Sequence, residues 1–336
     1  MAVSVRDVAE LARVSVGTVS NVLNRPEKVS PDTVERVQAA IQELGFVRND
    51  VARQLRVGRS RTIGLVVLDV RNPFFTDLAR GAEERAAEAS LSVLLGNSDE
   101  DARREAAHLD LFEEQRVFGV LISPLAHAMP RIERLRAHGI PAVLVDRADE
   151  DLSFSSVAVD DVAGGELAVQ HLLDLGRRRI AFVGGPMDIR QVADRLTGAR
   201  RAVARVPGAT LEVVETDAQT VLAGRAAGER IRERPRDERP DAVFAANDLL
   251  AVGALQALVM SGSVAVPEEI ALIGYDDIDF ASATVVPLSS IRQPSVLIGR
   301  RAVELLLREA ADPRSPREHV VFQPELVARA STLGRS

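Results

Sequence analysis

The 336-residue sequence contains no cysteine. That excludes a disulfide framework, a thiolate metal site and a cysteine nucleophile, and it suits a reducing compartment. No run of about 18 apolar residues exists to span a bilayer. The N-terminus lacks a basic segment followed by an uninterrupted apolar one, so no secretory signal is legible. The expected location is the cytoplasm, with no membrane partner. Enzyme signatures are also missing: there is no G-x-x-x-x-G-K-[ST], no G-x-S-x-G and no H-E-x-x-H. The five histidines, His108, His127, His138, His171 and His319, are scattered and make no metal-ligand spacing. Asp276-Asp277 is a carboxylate pair in sequence, but neighbours at a strand end seldom point the same way. No catalytic residue, metal or cofactor is therefore expected.

What is present is an ordinary globular composition, 46% hydrophobic and 27% charged, in a chain long enough for two or three domains. The net charge of −7 is unevenly spread. Residues 1–61 hold 10 Lys and Arg against 7 Asp and Glu, a net of +3, so the remainder carries −10. Arg48, Arg53, Arg56, Arg59 and Arg61 face only Asp50 in the stretch that ends this segment. A basic module on an acidic body fits phosphate attraction confined to one end.

The stretch Val5 to Asn24, VRDVAELARVSVGTVSNVLN, carries two short apolar stripes at helical spacing. Val5, Val8, Ala9 and Ala12 form the first. After Arg13-Val14-Ser15, with Ser15 as a cap, Val16, Val19, Val22 and Leu23 form the second. Helices this short need partners, and the helix-turn-helix plan supplies them while placing its second helix in the major groove of DNA. That second helix carries Gly17, Thr18, Ser20, Asn21 and Asn24, small or polar side chains suited to base edges and phosphates. A third helix is expected from Ser30-Pro31, with Val34, Val37, Ile41 and Leu44 as its buried stripe and Gly45 as its end. The basic stretch 50–57 suits a hinge that orders on DNA, with Leu55 as a wedge in the minor groove and Arg53 and Arg56 beside it on phosphate.

From Thr62 the pattern alternates. Strand runs are read at Ile63–Leu68, Leu91–Leu95, Gly119–Ile122 and Ala142–Val145, then in a second set at Val157–Val159, Ile180–Val183, Leu211–Val214, Ala242–Ala245 and Ile270–Gly274, with helical segments between them. Such alternation implies right-handed βαβ units and mostly parallel sheet. So many strands suggest two lobes with a boundary near Asp160, and the last runs, Ser290–Arg292 and Val320–Phe322, are placed to cross between them. Ligands bind beyond the carboxyl ends of parallel strands. Asp, Asn, Arg and Gln recur there, beside Phe74-Phe75. Carboxylates and amides hold vicinal hydroxyls, arginine bonds hydroxyl oxygens in a fork, and an aromatic face packs on a sugar's C–H face. The set describes a polyhydroxylated ligand.

These residues resemble a known family. VRDVAELARVSVGTVSNVLN, VSPDTVERVQAAIQELGF and ARQLRVGRSRTIGLV, then AANDLLAVGAL, ALIGYDDI and IRQP, are similar to the lactose/galactose repressor family of bacterial transcription regulators over essentially the whole chain. The resemblance implies an all-α helix-turn-helix headpiece at 1–48, a hinge helix and linker at 49–60, and an α/β body at 61–336 of periplasmic-binding-protein type. That body comprises two doubly wound parallel-sheet lobes, 61–160 with 293–323 and 161–292 with 324–336. It further implies a homodimer on a near-palindromic double-stranded operator, controlled by a small-molecule effector. The implied DNA-facing set is Ser15, Val16, Gly17, Thr18, Ser20, Asn21, Asn24, Arg53, Leu55 and Arg56. By similarity to sugar receptors of the ribose-binding type, Asn72, Phe74, Phe75, Asp146, Arg147, Arg195, Asn247, Asp276 and Gln293 are the implied effector contacts, with Tyr275 at the pocket wall. Arg147 stands where purine-binding members tend to have an aromatic, which favours a monosaccharide or sugar derivative. Gln219 stands near where another aromatic is common, which leaves one stacking face open. The competing readings are a purine or phosphocarrier-protein corepressor, a sugar receptor that does not bind DNA, and a sugar-processing enzyme on the same scaffold.

Overall fold

Ser4 begins the first helix by reciprocal capping. Its hydroxyl accepts from the Asp7 N–H, and the Asp7 carboxylate accepts from the Ser4 N–H at 2.7 Å. The computed structural model describes residues 3–46, 60–125, 127–148, 153–260 and 264–334. Its chain divides into two compact units, Met1–Ser60 and Arg61–Ser336. In the first, α1 (Val5–Leu11) turns at Arg13, whose φ is +53°, into α2 (Val16–Asn24). Ser15 caps α2 by accepting from the Thr18 N–H at 3.0 Å. Helix α3 (Pro31–Leu44) has Pro31 in its first turn and ends at Gly45, whose φ of +61° favours a residue without Cβ.

The core of this unit is Val8, Ala9, Ala12, Val19, Val22, Val37 and Ala40, with Val5, Leu23, Val34, Ile41 and Leu44 packed around it. Two sequence expectations need correction. Val16 does not join the apolar stripe: it is 42% exposed, because the first turn of α2 projects past the three-helix contact. Ser30 occupies the cap position of α3, but its hydroxyl donates to the Thr33 hydroxyl at 2.9 Å instead of serving the backbone. The hinge expected at 49–60 lies outside the described residues except for Ser60.

The second unit is built on two six-stranded sheets. The first has the order β11-β5-β4-β3-β1-β2 and is parallel throughout, with β1 Thr62–Val67, β2 Ser92–Asn97, β3 Gly119–Ile122, β4 Ala142–Val145, β5 Ser155–Val159 and β11 His319–Phe322. The second has the order β12-β10-β9-β8-β6-β7, with β6 Arg179–Gly184, β7 Thr210–Glu215, β8 Ala242–Ala245, β9 Ala271–Asp276, β10 Ser289–Arg292 and β12 Glu325–Val327. Only the β10–β12 pair in it is antiparallel. Central strands read as unbroken apolar runs because helices cover both faces. Leu94 and Leu95 are apolar yet about 40% exposed, since β2 lies at a sheet edge. The strand at Ala271–Asp276 runs two residues beyond the sequence reading and takes Tyr275 and Asp276 into the sheet.

The chain passes between the sheets after β5, after β10 and after β11. Three helix pairs touch backbone to backbone through reciprocal glycines. A Cβ on Gly165 would lie 2.0 Å from the Arg195 carbonyl oxygen, and one on Gly198 would lie 2.0 Å from that of Val162. Gly224 and Gly253 play the same part between Val221–Arg232 and Asp248–Val259, as do Gly81 and Gly299 between Pro73–Glu88 and Ser295–Ala311. These contacts fix the helix spacing, and with it the position of side chains such as Arg195 that the helices carry.

Candidate functional site

On the first unit, the outward row of α2 presents Val16, Gly17, Asn21 and Asn24 exposed, with Thr18 and Ser20 half-buried. Val19 and Val22 hold the opposite face in the core. Ser15 is exposed and engaged as the cap, its hydroxyl also 2.9 Å from that of Thr18. Asn24 donates to the Ser20 carbonyl at 2.7 Å. The row offers small side chains, amides and hydroxyls, the chemistry that reads base edges. Arg53, Leu55 and Arg56 lie outside the described residues.

On the second unit, the carboxyl ends of the two sheets meet. Asn72 follows β1 and caps the helix Pro73–Glu88 by accepting from the Phe74 N–H at 3.1 Å, which leaves its amide nitrogen to donate to Asp276 Oδ2 at 2.8 Å. Gln293, which follows β10, donates to Asp276 Oδ1 at 2.7 Å. Arg195 holds its guanidinium carbon over the ring of Tyr275, 3.7 Å from the ring centroid. It donates from Nε to Asp161 at 2.8 Å and from NH1 to the Ala246 carbonyl at 2.7 Å, with Asp276 Oδ1 at 3.9 Å. Asp146 follows β4. Gln191 from the other lobe donates to its carboxylate at 2.8 Å and to its carbonyl at 2.6 Å. The backbone is left-handed at Asp146 (φ +57°) and Asp276 (φ +104°), conformations that cost a residue with Cβ and cluster where side chains are aimed for function.

The structure thus joins Asn72, Arg195, Tyr275, Asp276 and Gln293 in one buried network, with Asp146 beside it. Phe74 and Phe75 are buried next to Asn72, their rings edge to face at 5.0 Å. Asn247 caps the helix Asp248–Val259 and donates to the Gln219 carbonyl at 3.3 Å. Arg147 is set apart: its guanidinium turns to the Pro124 carbonyl at 3.3 Å and to the charge of Glu105.

Sequence reasoning missed Gln191 and Asp161, and it found Asp248 at a strand end without placing it in the site. Asp161 stands two residues past β5, so the rule that selected the other strand ends applies to it as well. Asp248 is fully buried and accepts from Ser290 Oγ at 2.7 Å and the Ile278 N–H at 2.9 Å, which ties β10 to the exit of β9. Gln191 begins a helix with no motif around it, and nothing in the sequence marks it.

Burial governs the electrostatics. It pushes the Asp146 carboxyl well above the usual carboxylate range, and the nearby Asp161 adds to that. Asp161 and Asp276 are also raised by burial, with Arg195 opposing the shift at both. Arg195 keeps its proton against its own burial because Asp161, Asp276 and Asp146 surround it. Asp146, Arg147, Asp161 and Gln191 line a recess of about 60 Å³. Small-molecule sites typically span roughly 300 Å³ or more, and this recess is smaller. Among the described residues no group of His, Asp and Glu is arranged to hold a metal, and no helix is long and apolar enough to cross a membrane.

The family described as bacterial regulatory proteins, lacI family, matches residues 4–49, and the periplasmic binding protein-like domain matches residues 169–332. The chain is 34% identical to the ribose operon repressor of Escherichia coli (strain K12), over 98% of this chain and 99% of that one. Among solved structures, it is similar to the lac repressor dimer bound to operator and the anti-inducer ONPF, with a TM-score of 0.85, 29% identity and coverage of 99% and 100% of the two chains. It is also similar to a complex of the transcriptional regulator CelR with cellobiose, with a TM-score of 0.72, 32% identity and coverage of 98% and 99%.

Proposed function

Because the chain belongs to the lacI family of bacterial regulatory proteins, we propose that it is a repressor whose operator affinity is set by a hydroxylated small molecule held between the two lobes. It is a DNA-binding transcriptional regulator, and operator DNA and a small-molecule effector are its partners. The operator is near-palindromic and is bound by a homodimer, as the lac repressor dimer binds its own operator. The outward row Val16, Gly17, Thr18, Ser20, Asn21 and Asn24 reads bases, Ser15 orients the helix that carries them, and Arg53, Leu55 and Arg56 act in the hinge on the minor groove.

The effector contacts are Asn72, Asp146, Arg195, Asn247, Asp276 and Gln293, with Phe74, Phe75 and Tyr275 as apolar walls and Arg147 at the rim. The observation that carries this reading is the closure of the cleft by acids and amides. Asn72 and Gln293 share the two oxygens of Asp276, and a ligand's hydroxyls replace such partners one for one. The ribose operon and lac relatives named above are repressors, which supports a non-catalytic protein working in the cytoplasm, where operator DNA lies. The domain limits proposed are 1–48, 49–60 and 61–336.

A thermal-shift screen of pentoses, hexoses, their phosphates and purines tests the effector class, because a ligand that binds only the folded state raises its melting temperature. The expected result is a hydroxylated hit that also changes operator affinity in a gel-shift titration. A purine hit with no response to any sugar derivative would overturn the sugar assignment. An absence of salt-sensitive operator binding would overturn the repressor assignment.

A further inference from the structure

The charges in the cleft do not balance. Asp146, Asp161 and Asp276 are all more than nine-tenths buried, and Arg195 is the one cation buried with them among the described residues. Two arginines stand at the rim without being buried: Arg190 pairs with Asp194 at 2.9 Å, and Arg147 donates to the Pro124 carbonyl at 3.3 Å. Three buried carboxylates against one guanidinium leave an excess of two acids. An uncompensated buried carboxylate is costly, and it is relieved by a proton or by a cation.

The hydrogen bonds point the same way. The amide nitrogens of Asn72, Gln191 and Gln293 are each engaged with the chain's own carboxylates. Asp146 Oδ1 and Gln293 Oε1 are buried acceptors with no donor among the described residues. Asp146 is 3% exposed and is one of the residues that line the recess. A group that brings both positive charge and several N–H donors answers both deficits at once, whereas a neutral hydroxyl answers only the second.

Resting on the reading of a hydroxylated effector, we propose that the molecule this cleft takes is an amino sugar, its protonated amine seated against Asp146 and its hydroxyls on Asn72, Asp276 and Gln293. Burial already favours a proton on Asp146, and in the complex the ligand's ammonium takes that proton's place. The Arg195–Asp161 pair stays intact beneath it as the floor.

The test is titration calorimetry on the full-length protein with matched compounds: D-glucose, D-galactose and D-mannose, their 2-amino-2-deoxy derivatives, and the N-acetyl forms that keep the shape but remove the charge. D-ribose and D-xylose complete the neutral set. At least one amino sugar is expected to bind about tenfold or more tighter than both its neutral parent and its N-acetyl form. In Asp146→Asn that preference is expected to disappear. The N-acetyl comparison needs no variant, so it decides the question even if Asp146→Asn folds poorly. A neutral pentose or hexose binding as tightly as any amino sugar overturns the proposal while leaving the hydroxylated effector in place. Failure of every sugar, charged or neutral, with binding of a purine instead, overturns both.

Discussion

Asn72 and Asp276 are 204 positions apart in sequence and joined by a 2.8 Å hydrogen bond between the two lobes. Asn72 follows the first lobe's β1 and Asp276 ends β9 of the second, so this bond ties the carboxyl ends of the two sheets together. The same Asp276 oxygens take Gln293 at 2.7 Å and approach Arg195 at 3.9 Å.

Asp276→Ala is expected to abolish the ligand response while leaving operator binding intact. The substitution removes the acceptor that Asn72 and Gln293 share, and a hydrogen bond to a charged group contributes about 1.5–3 kcal/mol. Effector affinity should fall by about two orders of magnitude. Gel-shift titrations with and without effector check this, and normal induction in the variant would remove Asp276 from the pocket.

Gln191→Ala unfastens the second inter-lobe tie. Gln191 donates to both the carboxylate and the carbonyl of Asp146, and two buried bonds of this kind are worth about 1–3 kcal/mol together. The lobes should spend more time apart, read as faster hydrogen exchange at 143–147 and a larger radius of gyration in solution scattering. Unchanged exchange there would mean that other contacts hold the cleft.

Glu100 supplies a pH dependence of stability. Burial, reinforced by the charge of Asp69, pushes its carboxyl up to about 7, against hydrogen bonding from Gln219 and the charge of Arg71. The folded state therefore holds this proton more tightly than the unfolded chain, whose carboxyl titrates near 4.5. The stabilisation from that proton is complete below about pH 4.5 and is lost as the pH rises to about 7. Glu100→Gln keeps the neutral form at every pH. It should match the parent at pH 4 and exceed it by about 1 kcal/mol at pH 8, after solvent screening of a partly exposed group. Melting curves at the two pH values decide it, and an equal difference at both would exclude titration of Glu100 as the cause.

Gly165→Ala drives a Cβ to 2.0 Å from the Arg195 carbonyl, where only backbone movement can make room. Overpacking of this kind costs about 1–3 kcal/mol, and a clash with backbone belongs at the upper end. A melting temperature lower by several degrees is expected, together with weaker effector binding, because the displaced helix carries Arg195 off the Tyr275 ring. Calorimetry and ligand titration on the same sample separate the two effects.

Leu55→Ala is expected to weaken specific operator binding at least tenfold while effector affinity stays unchanged, since unstacking a base step needs a large apolar wedge. Operator and random-sequence titrations at one salt concentration check it. An equal loss on both sequences would point to a general loss of affinity instead.

The headpiece was legible because its determinants are local. Ser15, Pro31 and Gly45 set helix ends within four residues of where they act, and the spacing of Val8, Val19 and Val37 marks the buried faces. The strands were legible because parallel sheet covered on both faces requires unbroken apolar runs. The limits were also physical. Val16 is apolar and at helical spacing, yet exposed, since periodicity cannot tell a core residue from one held outward for a partner. Antiparallel β12 has three residues, too few for any pattern to register.

The sequence by itself determined the elements, the basic segment ahead of an acidic body, and the polar side chains waiting at strand ends. Those follow from composition and short-range spacing. Only the tertiary structure decided which of those side chains meet. Gln191 finds Asp146 across 45 positions, and Arg195 finds Asp161 across 34 and the ring of Tyr275 beneath it. The balance of charge in the cleft also belongs to the folded chain, because a carboxylate's cost depends on the water it has lost and the cations left beside it.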